Sequence, residues 1–300
     1  MTEAGPAKSV SQPTSVRDSW PGLVRRILLY FALLYLALLG ILMFLENRLI
    51  FRPTRADEEW YERTQFHKED LWLETETGER IHAWWCPRRE PKWYVLYSHG
   101  NAGNLSCRDV FIDAWQKRVG ASVLIYDYPG YGHSSGRPNE KNCYAAGRAA
   151  YRWLHEQNFP VERIVLFGES LGGGVAVELA RHEVHAALIL LAAFTSIPDI
   201  AQEIFPFVPA RWLVRTRFNN IEKIRHYTGP LLIIHGQNDE LIPPHHAQRL
   251  FEACPSSRKK LLLVPGHDHN SIGFAAIYDV ISEFLDTVAA VPISQATDPK

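Results

Sequence analysis

The stretch Ile164-Val165-Leu166-Phe167-Gly168-Glu169-Ser170-Leu171-Gly172-Gly173-Gly174 decides how this chain is read. Its first four residues form an apolar run that suits a buried parallel strand, and Val175, Ala176, Val177, Leu179 and Ala180 continue beyond it as a helix. Between the two the chain must turn sharply. Gly168 and Gly172 stand where a side chain would obstruct a strained turn and the packing of strand against helix, which leaves the Ser170 hydroxyl exposed above the sheet edge. The G-x-S-x-G spacing alone is weak, because small residues also build structural turns. The strand before it and the helix after it make Ser170 a candidate covalent nucleophile rather than a turn serine.

Outward from this unit, strand-like and helix-like runs alternate. Two strand-like runs flank Thr77-Gly78, and further strands are expected at Trp93 to Tyr97, Val123 to Tyr126, Arg163 to Phe167, Ala187 to Leu191, Leu231 to His235 and Leu261 to Val264. Helices are expected near Leu105 to Lys117, Glu140 to Glu156, Leu171 to Arg181, Pro244 to Phe251 and Ser271 to Thr287. Such alternation implies an α/β fold with a mostly parallel sheet and helices on both faces. Reacting groups in these folds sit in loops beyond the carboxyl ends of the strands.

Two later loops supply the partners a serine nucleophile needs, a base and an acid that holds it. His235-Gly236-Gln237-Asn238-Asp239-Glu240 follows the strand at Leu231 to Ile234 and precedes Pro243-Pro244 at a helix start, which places Asp239 on a strand-to-helix loop. A capping or turn aspartate is the structural alternative, and Glu240 and Asp268 are rival acids. Pro265-Gly266-His267-Asp268-His269-Asn270 occupies the corresponding loop of the next unit, where His267 and His269 compete as base. A metal cluster of His267, Asp268, His269, His245 and His246 matches no usual zinc spacing, and no metal or cofactor is expected. The oxyanion hole calls for the N–H of Leu171 and one from the loop His99-Gly100-Asn101-Ala102-Gly103-Asn104, where Gly100 lets the backbone approach and Asn101 follows. His99 is expected to orient that loop, and the Gly- and Pro-containing loop Tyr126 to Gly136 to shape the pocket.

The 300 residues are 46% hydrophobic and 22% charged, enough for one large folded domain. A net charge of −1 without a basic, aromatic-interleaved run makes nucleic acid an unsuited partner. Cys86, Cys107, Cys143 and Cys254 never form C-x-x-C, and composition leaves buried thiols and disulfides both open. The apolar run Ile27 to Leu45 would span about 28 Å as a helix, near the thickness of a bilayer's hydrocarbon. It has no polar stripe of the kind a core helix carries, and no small-x-small cleavage site follows it. We therefore expect a disordered tail over residues 1–22, a transmembrane anchor over 23–50, a folded domain over 66–290 and a second tail over 291–300. Basic residues on both sides of the run leave the side of the membrane undetermined.

Taken together, His99 to Asn104, Asp127-Tyr128-Pro129-Gly130-Tyr131-Gly132, Gly168 to Gly174 and Phe194-Thr195-Ser196-Ile197-Pro198 with Phe205-Pro206-Phe207 resemble a known family. It is that of the membrane-anchored α/β-hydrolase-domain-containing proteins, within the serine-aminopeptidase-like and lysophospholipase-like set, and the likeness covers about Asp70 to Leu285. The resemblance implies the α/β-hydrolase fold and the chain order Ser170, Asp239, His269 for the triad. The family's closing Gly-x-x-His-Asn places the base on His269 before Asn270; the family pattern continues with Asp where Ser271 stands, a helix-start position that serine can also cap. It further implies hydrolysis of esters or thioesters of lipids or acylated proteins. Residues 194–226 are too long for a simple connection between strands and are expected to form a small cap, whose apolar side chains line an acyl pocket, touch the bilayer or seal the domain core. The same parts serve a serine aminopeptidase-like peptidase, and a non-catalytic membrane-tethered module on the same scaffold is the alternative from another class. A dehalogenase would need aspartate where Ser170 stands.

Overall fold

The computed structural model describes residue 5 and residues 20–62, 64–271 and 276–290, which fall into two compact units divided between Leu45 and Glu46. The first consists of most of α1 (Trp20–Ile50), a 31-residue helix with no buried residue. Its mean hydropathy reaches 2.6, long and apolar enough to cross a membrane. Trp20 to Gly22 begin this helix, whereas the rest of the expected N-terminal tail, apart from Gly5, and the whole of 291–300 lie outside the described residues.

The second unit is built on an eight-stranded sheet: β1 (Glu69–Glu74), β2 (Arg80–Cys86), β3 (Trp93–Ser98), β4 (Ala121–Tyr126), β5 (Ile164–Glu169), β6 (Ala187–Leu191), β7 (Leu231–Gly236) and β8 (Lys259–Val264). Their spatial order is β1-β2-β4-β3-β5-β6-β7-β8. β2 runs antiparallel to both its neighbours, and every other pairing is parallel. From β3 the chain goes to β4 on one side and then to β5 on the other, so the loops after β3 and β5 open a crevice at the middle of the sheet's carboxyl edge.

Alternation along each strand divides the core in two. Leu96, Leu124, Leu166, Leu188 and Ile233 face α3 (Glu140–Glu156), α4 (Leu171–His182) and α8 (His245–Ala253), meeting Ala146, Leu154, Val175 and Leu250. Val95, Val123, Val165, Ile189 and Ile234 face the other way, onto Ile112 of α2 (Asp109–Ala114), Trp115, and Ile281 and Leu285 of α9 (Ala276–Ala289). Burial on both faces is why these strands read as continuous apolar runs. Between β6 and β7 lie α5 (Ile197–Ile204), α6 (Ala210–Leu213) and α7 (Asn220–Ile224), all inside the segment expected as a cap.

Three details differ from the sequence reading. The helix expected at Leu105 to Lys117 is a 3-10 turn over Leu105–Arg108, then α2, then a wide π turn over Trp115–Val119 that Gly120 ends at φ 77°. The last helix is seen from Ala276 rather than Ser271, with 272–275 outside the described residues. The folded unit begins at Glu46 rather than at 66, because Phe51 is buried in the core and Pro53 and Arg55 pair with Gly103 and Gly132. All four cysteines are free thiols.

Candidate active site

Ser170 joins β5 to α4 with φ 50° and ψ −113°, a conformation that a non-glycine residue holds only under strain. Its N–H donates to Leu191 O at 2.8 Å, and its C=O accepts from Gly173 N–H at 2.9 Å. A Cβ on Gly172 would stand 1.9 Å from the Ser98 carbonyl oxygen, and one on Gly168 would stand 2.5 Å from that of Gly172. Both glycines are therefore required by backbone approach, as the turn's geometry demands.

His269 Nε2 lies 3.1 Å from Ser170 Oγ, and its Nδ1 lies 2.7 Å from Asp239 Oδ2. Three loops after β5, β7 and β8 thus bring Ser170, Asp239 and His269 into one hydrogen-bonded line. Asp239 Oδ1 accepts from the N–H groups of Leu241 at 3.0 Å and Ile242 at 2.8 Å. His235 Nε2 sits 3.2 Å from Asp239 Oδ2 and 2.7 Å from Ile242 O. Burial pushes the Asp239 carboxyl up, but hydrogen bonds from His235, His269 and the Ile242 amide outweigh it and hold the group well below the usual carboxylate range. An ionised Asp239 fixes the proton of His269 on Nδ1 and leaves Nε2 free to accept from the serine.

The rival residues are engaged elsewhere. Asp268 Oδ1 accepts from the N–H groups of Asn270 and Ser271, His267 Nδ1 lies 2.9 Å from Ser271 O, and Glu240 is exposed. Ser271 Oγ accepts from Asp268 N–H at 2.9 Å, so this serine closes the histidine loop on itself. His245 and His246 lie against Glu203, apart from His267 and His269.

Leu171 is the first residue of α4, where an N–H has no intrahelical partner. Asn101 follows β3, and its side chain is engaged away from its own backbone: Oδ1 accepts from Arg52 N–H at 3.1 Å and Tyr131 Oη at 2.7 Å, while Nδ2 donates to Ile50 O at 2.6 Å. His99 is buried, with Nδ1 2.7 Å from Gly100 O, and Tyr128 Oη donates to His99 O at 2.7 Å. Asp127 Oδ1 accepts from Leu105 N–H at 2.8 Å, which ties the loop after β4 to the loop after β3.

Sequence reasoning missed three residues of this neighbourhood, Glu169, Arg108 and His235. Glu169 accepts from Tyr97 Oη at 2.6 Å and Arg108 Nε at 3.2 Å, and Arg108 also donates to Ala102 O at 2.9 Å. Burial pushes the Glu169 carboxyl up, yet the Arg108 charge, the Tyr97 hydroxyl and the Gly100 N–H bring it below its ordinary value. Glu169 and Arg108 together hold the loop that carries Gly100 and Asn101. The signal available was an ionisable residue at the end of an apolar strand, and His235, next to last in β7, is another.

The α/β hydrolase fold family matches residues 94–215, and the serine aminopeptidase S33 family matches residues 210–273. An uncharacterized protein of Mycobacterium tuberculosis is 34% identical over 271 residues, 87% of this chain and 95% of its own length. Alpha/beta hydrolase domain-containing protein 17B of Homo sapiens is 37% identical over 221 residues, 73% of this chain and 75% of its own. An esterase of Pyrococcus furiosus superposes with a TM-score of 0.64 at 19% identity, over 79% of this chain and 98% of its own. Est1E from Butyrivibrio proteoclasticus, solved with ferulic acid bound, does so with 0.63 at 21% identity, over 74% of this chain and all of its own. At these identities the two structures speak for the fold alone.

Proposed function

Because the chain belongs to the α/β-hydrolase family, we propose that it is a membrane-anchored serine hydrolase that cleaves carboxylic ester or thioester bonds of lipid or acyl substrates. The observation that carries the reading is the line from Ser170 Oγ through His269 to Asp239, with steps of 3.1 and 2.7 Å. In this mechanism His269 Nε2 takes the Oγ proton as the serine oxygen bonds to the acyl carbon, and Asp239 stabilises the imidazolium that forms. The amides of Leu171 and Asn101 hold the oxyanion. As the intermediate collapses, the bond to the alcohol or thiol breaks and His269 gives it the proton. Water then attacks the acyl-enzyme, His269 takes a proton from it, and the acid leaves as Ser170 recovers its hydrogen. The apolar part of α1 serves as the anchor, and residues 194–226 as a cap whose apolar side chains meet the acyl group.

The match of residues 210–273 to the S33 family supports a second reading, peptide cleavage from an amino terminus by the same three residues. One experiment addresses both. The detergent-solubilised chain, Ser170→Ala and His269→Ala are treated with a fluorophosphonate probe, and the parent is then given p-nitrophenyl esters of rising chain length beside aminoacyl p-nitroanilides. Labelling of the parent alone and turnover of the esters is the expected result. Turnover of the anilides in preference would favour the peptidase, and a folded parent that takes no label would overturn both in favour of a binding module.

A further inference from the structure

The loop after Asp239 ends in Pro243-Pro244, and α8 opens with His245 and His246 side by side. Both turn toward Glu203, near the end of α5. His245 Nε2 lies 3.0 Å from Glu203 Oε1, and His246 Nε2 lies 3.3 Å from Oε2. One donor atom from each residue falls within 4.8 Å of the others, and the two rings are stacked with centroids 4.5 Å apart. The Glu203–imidazole separations of 3.0 and 3.3 Å are those of ligands that share one cation at zinc–nitrogen and zinc–oxygen lengths of about 2.0–2.2 Å.

The surroundings of His246 favour such a role. This ring is fully buried, and Thr195 meets its Nδ1 with Oγ1 at 2.8 Å and with the backbone N–H at 3.2 Å. Thr195 Oγ1 donates to Asp199 Oδ2 at 2.8 Å, and Asp199 is held as a carboxylate between Arg211 and Arg249, each 3.3 Å away. The Thr195 N–H donates to Nδ1, so without a metal the ring hydrogen is on Nε2 and goes to Glu203 Oε2; with its own hydrogen on Asp199, Thr195 Oγ1 is placed to accept Nδ1–H once a cation takes Nε2. An outer hydrogen bond that fixes the ring of a histidine ligand is the usual support of a metal site.

We propose that Glu203, His245 and His246 bind a divalent first-row transition cation, with zinc as the metal that two imidazoles and one carboxylate suit. Three protein ligands leave a fourth position for water. The ion bridges α5 to α8 and so ties the segment between β6 and β7 to the helix that follows the Asp239 loop. Sequence spacing did not reveal it, because Glu203 lies 42 residues before His245.

The test uses the full chain without a polyhistidine tag, in detergent, stripped with a chelator and then dialysed against buffered Zn2+. Parent, Glu203→Gln and His245→Ala are compared by metal analysis and thermal unfolding, with Co2+ absorption as a readout of tetrahedral nitrogen and oxygen ligation. Both substitutions are outside the proposed catalytic groups, and circular dichroism of the stripped proteins reports their folding. About one zinc per parent chain, a Tm raised by a few degrees, and at least about tenfold weaker binding in both variants are expected. A parent that binds no zinc overturns the proposal. So do variants that bind as the parent does, or a contact that responds to pH and not to metal, which would identify it as the hydrogen bond from His246 Nε2–H to Glu203.

Discussion

Asp239 and Glu169 are carboxylates at the ends of neighbouring parts of the same sheet edge, and their partners separate their work. Asp239 is joined to His269, so Asp239→Asn should leave the fold in place and lower kcat by about 10^3 to 10^4, measured on a p-nitrophenyl ester. Its folded pKa is below its unfolded one. The stability it supplies is therefore complete above the unfolded carboxylate range near 4 and is lost as pH falls toward the folded value. Glu169 is joined to Arg108 and to the loop of Gly100, so Glu169→Gln leaves a mostly buried guanidinium without its counter-charge. A loss of about 2–4 kcal/mol in urea unfolding is expected. Fluorophosphonate labelling per folded molecule should also slow, by about tenfold or more if the loop supplies an oxyanion donor. A merely structural Glu169 would change the unfolding and leave that labelling rate alone. Ser170 and Asp239 were legible because their residue types and loop positions define a chemistry. Glu169 and His235 were not, since what they do depends on Arg108, Tyr97 and Ile242, which the sheet brings near them.

At the scale of elements, the strands were readable wherever both faces are buried, and Leu166 beside Phe167 shows why: one belongs to each half of the core, so neither position tolerates a polar side chain. The region from Leu105 to Val119 was less readable because helical periodicity does not distinguish a 3-10 turn, an α turn and a π turn in succession. The turn from β5 into α4 has no such latitude. Gly172→Ala sets a Cβ against backbone, 1.9 Å from Ser98 O, and should cost more than about 3 kcal/mol or prevent folding, read by urea unfolding. The approach to β6 carries a pH dependence. His185 stacks on Tyr227, with Nδ1 2.7 Å from Glu183 O, and burial lowers its pKa to about 4. An imidazole that is neutral when folded and protonated when unfolded supports stability in full above about pH 6.5. Stability should fall below that by up to about 1.4 kcal/mol per pH unit until the folded value is reached. His185→Gln should flatten that part of the stability curve, measured by urea titration at pH 4.5, 5.5 and 7.

The whole molecule joins an apolar helix to a folded unit that starts at Glu46, and the segment from Ile50 to Tyr61 is where sequence and structure diverge most. It has no regular pattern, so nothing in its order of residues announced that it wraps the loop after β3. Its contacts do: Ile50 and Arg52 hold the Asn101 amide, Glu59 O accepts from Asn104 Nδ2 at 2.8 Å, Tyr61 N–H donates to Ser106 Oγ at 3.0 Å, and Phe51 is buried near Phe218. Two truncations separate this strap from the apolar helix. A chain beginning at Glu46 retains every one of these contacts and should stay soluble, fold and take the fluorophosphonate label, while the full chain resists extraction from membranes by alkaline carbonate. A chain beginning at Phe66 loses the aromatic ring of Phe51, worth about 3–5 kcal/mol when such a side chain is removed from a core, and leaves the Nδ2 groups of Asn101 and Asn104 without the carbonyls they donate to. It should unfold at a lower temperature and label poorly. Equal Tm and equal labelling for the two truncations would mean that the strap only lies on the surface, and the Asn101 loop would then have to owe its position to Glu169, Arg108 and Tyr131 alone.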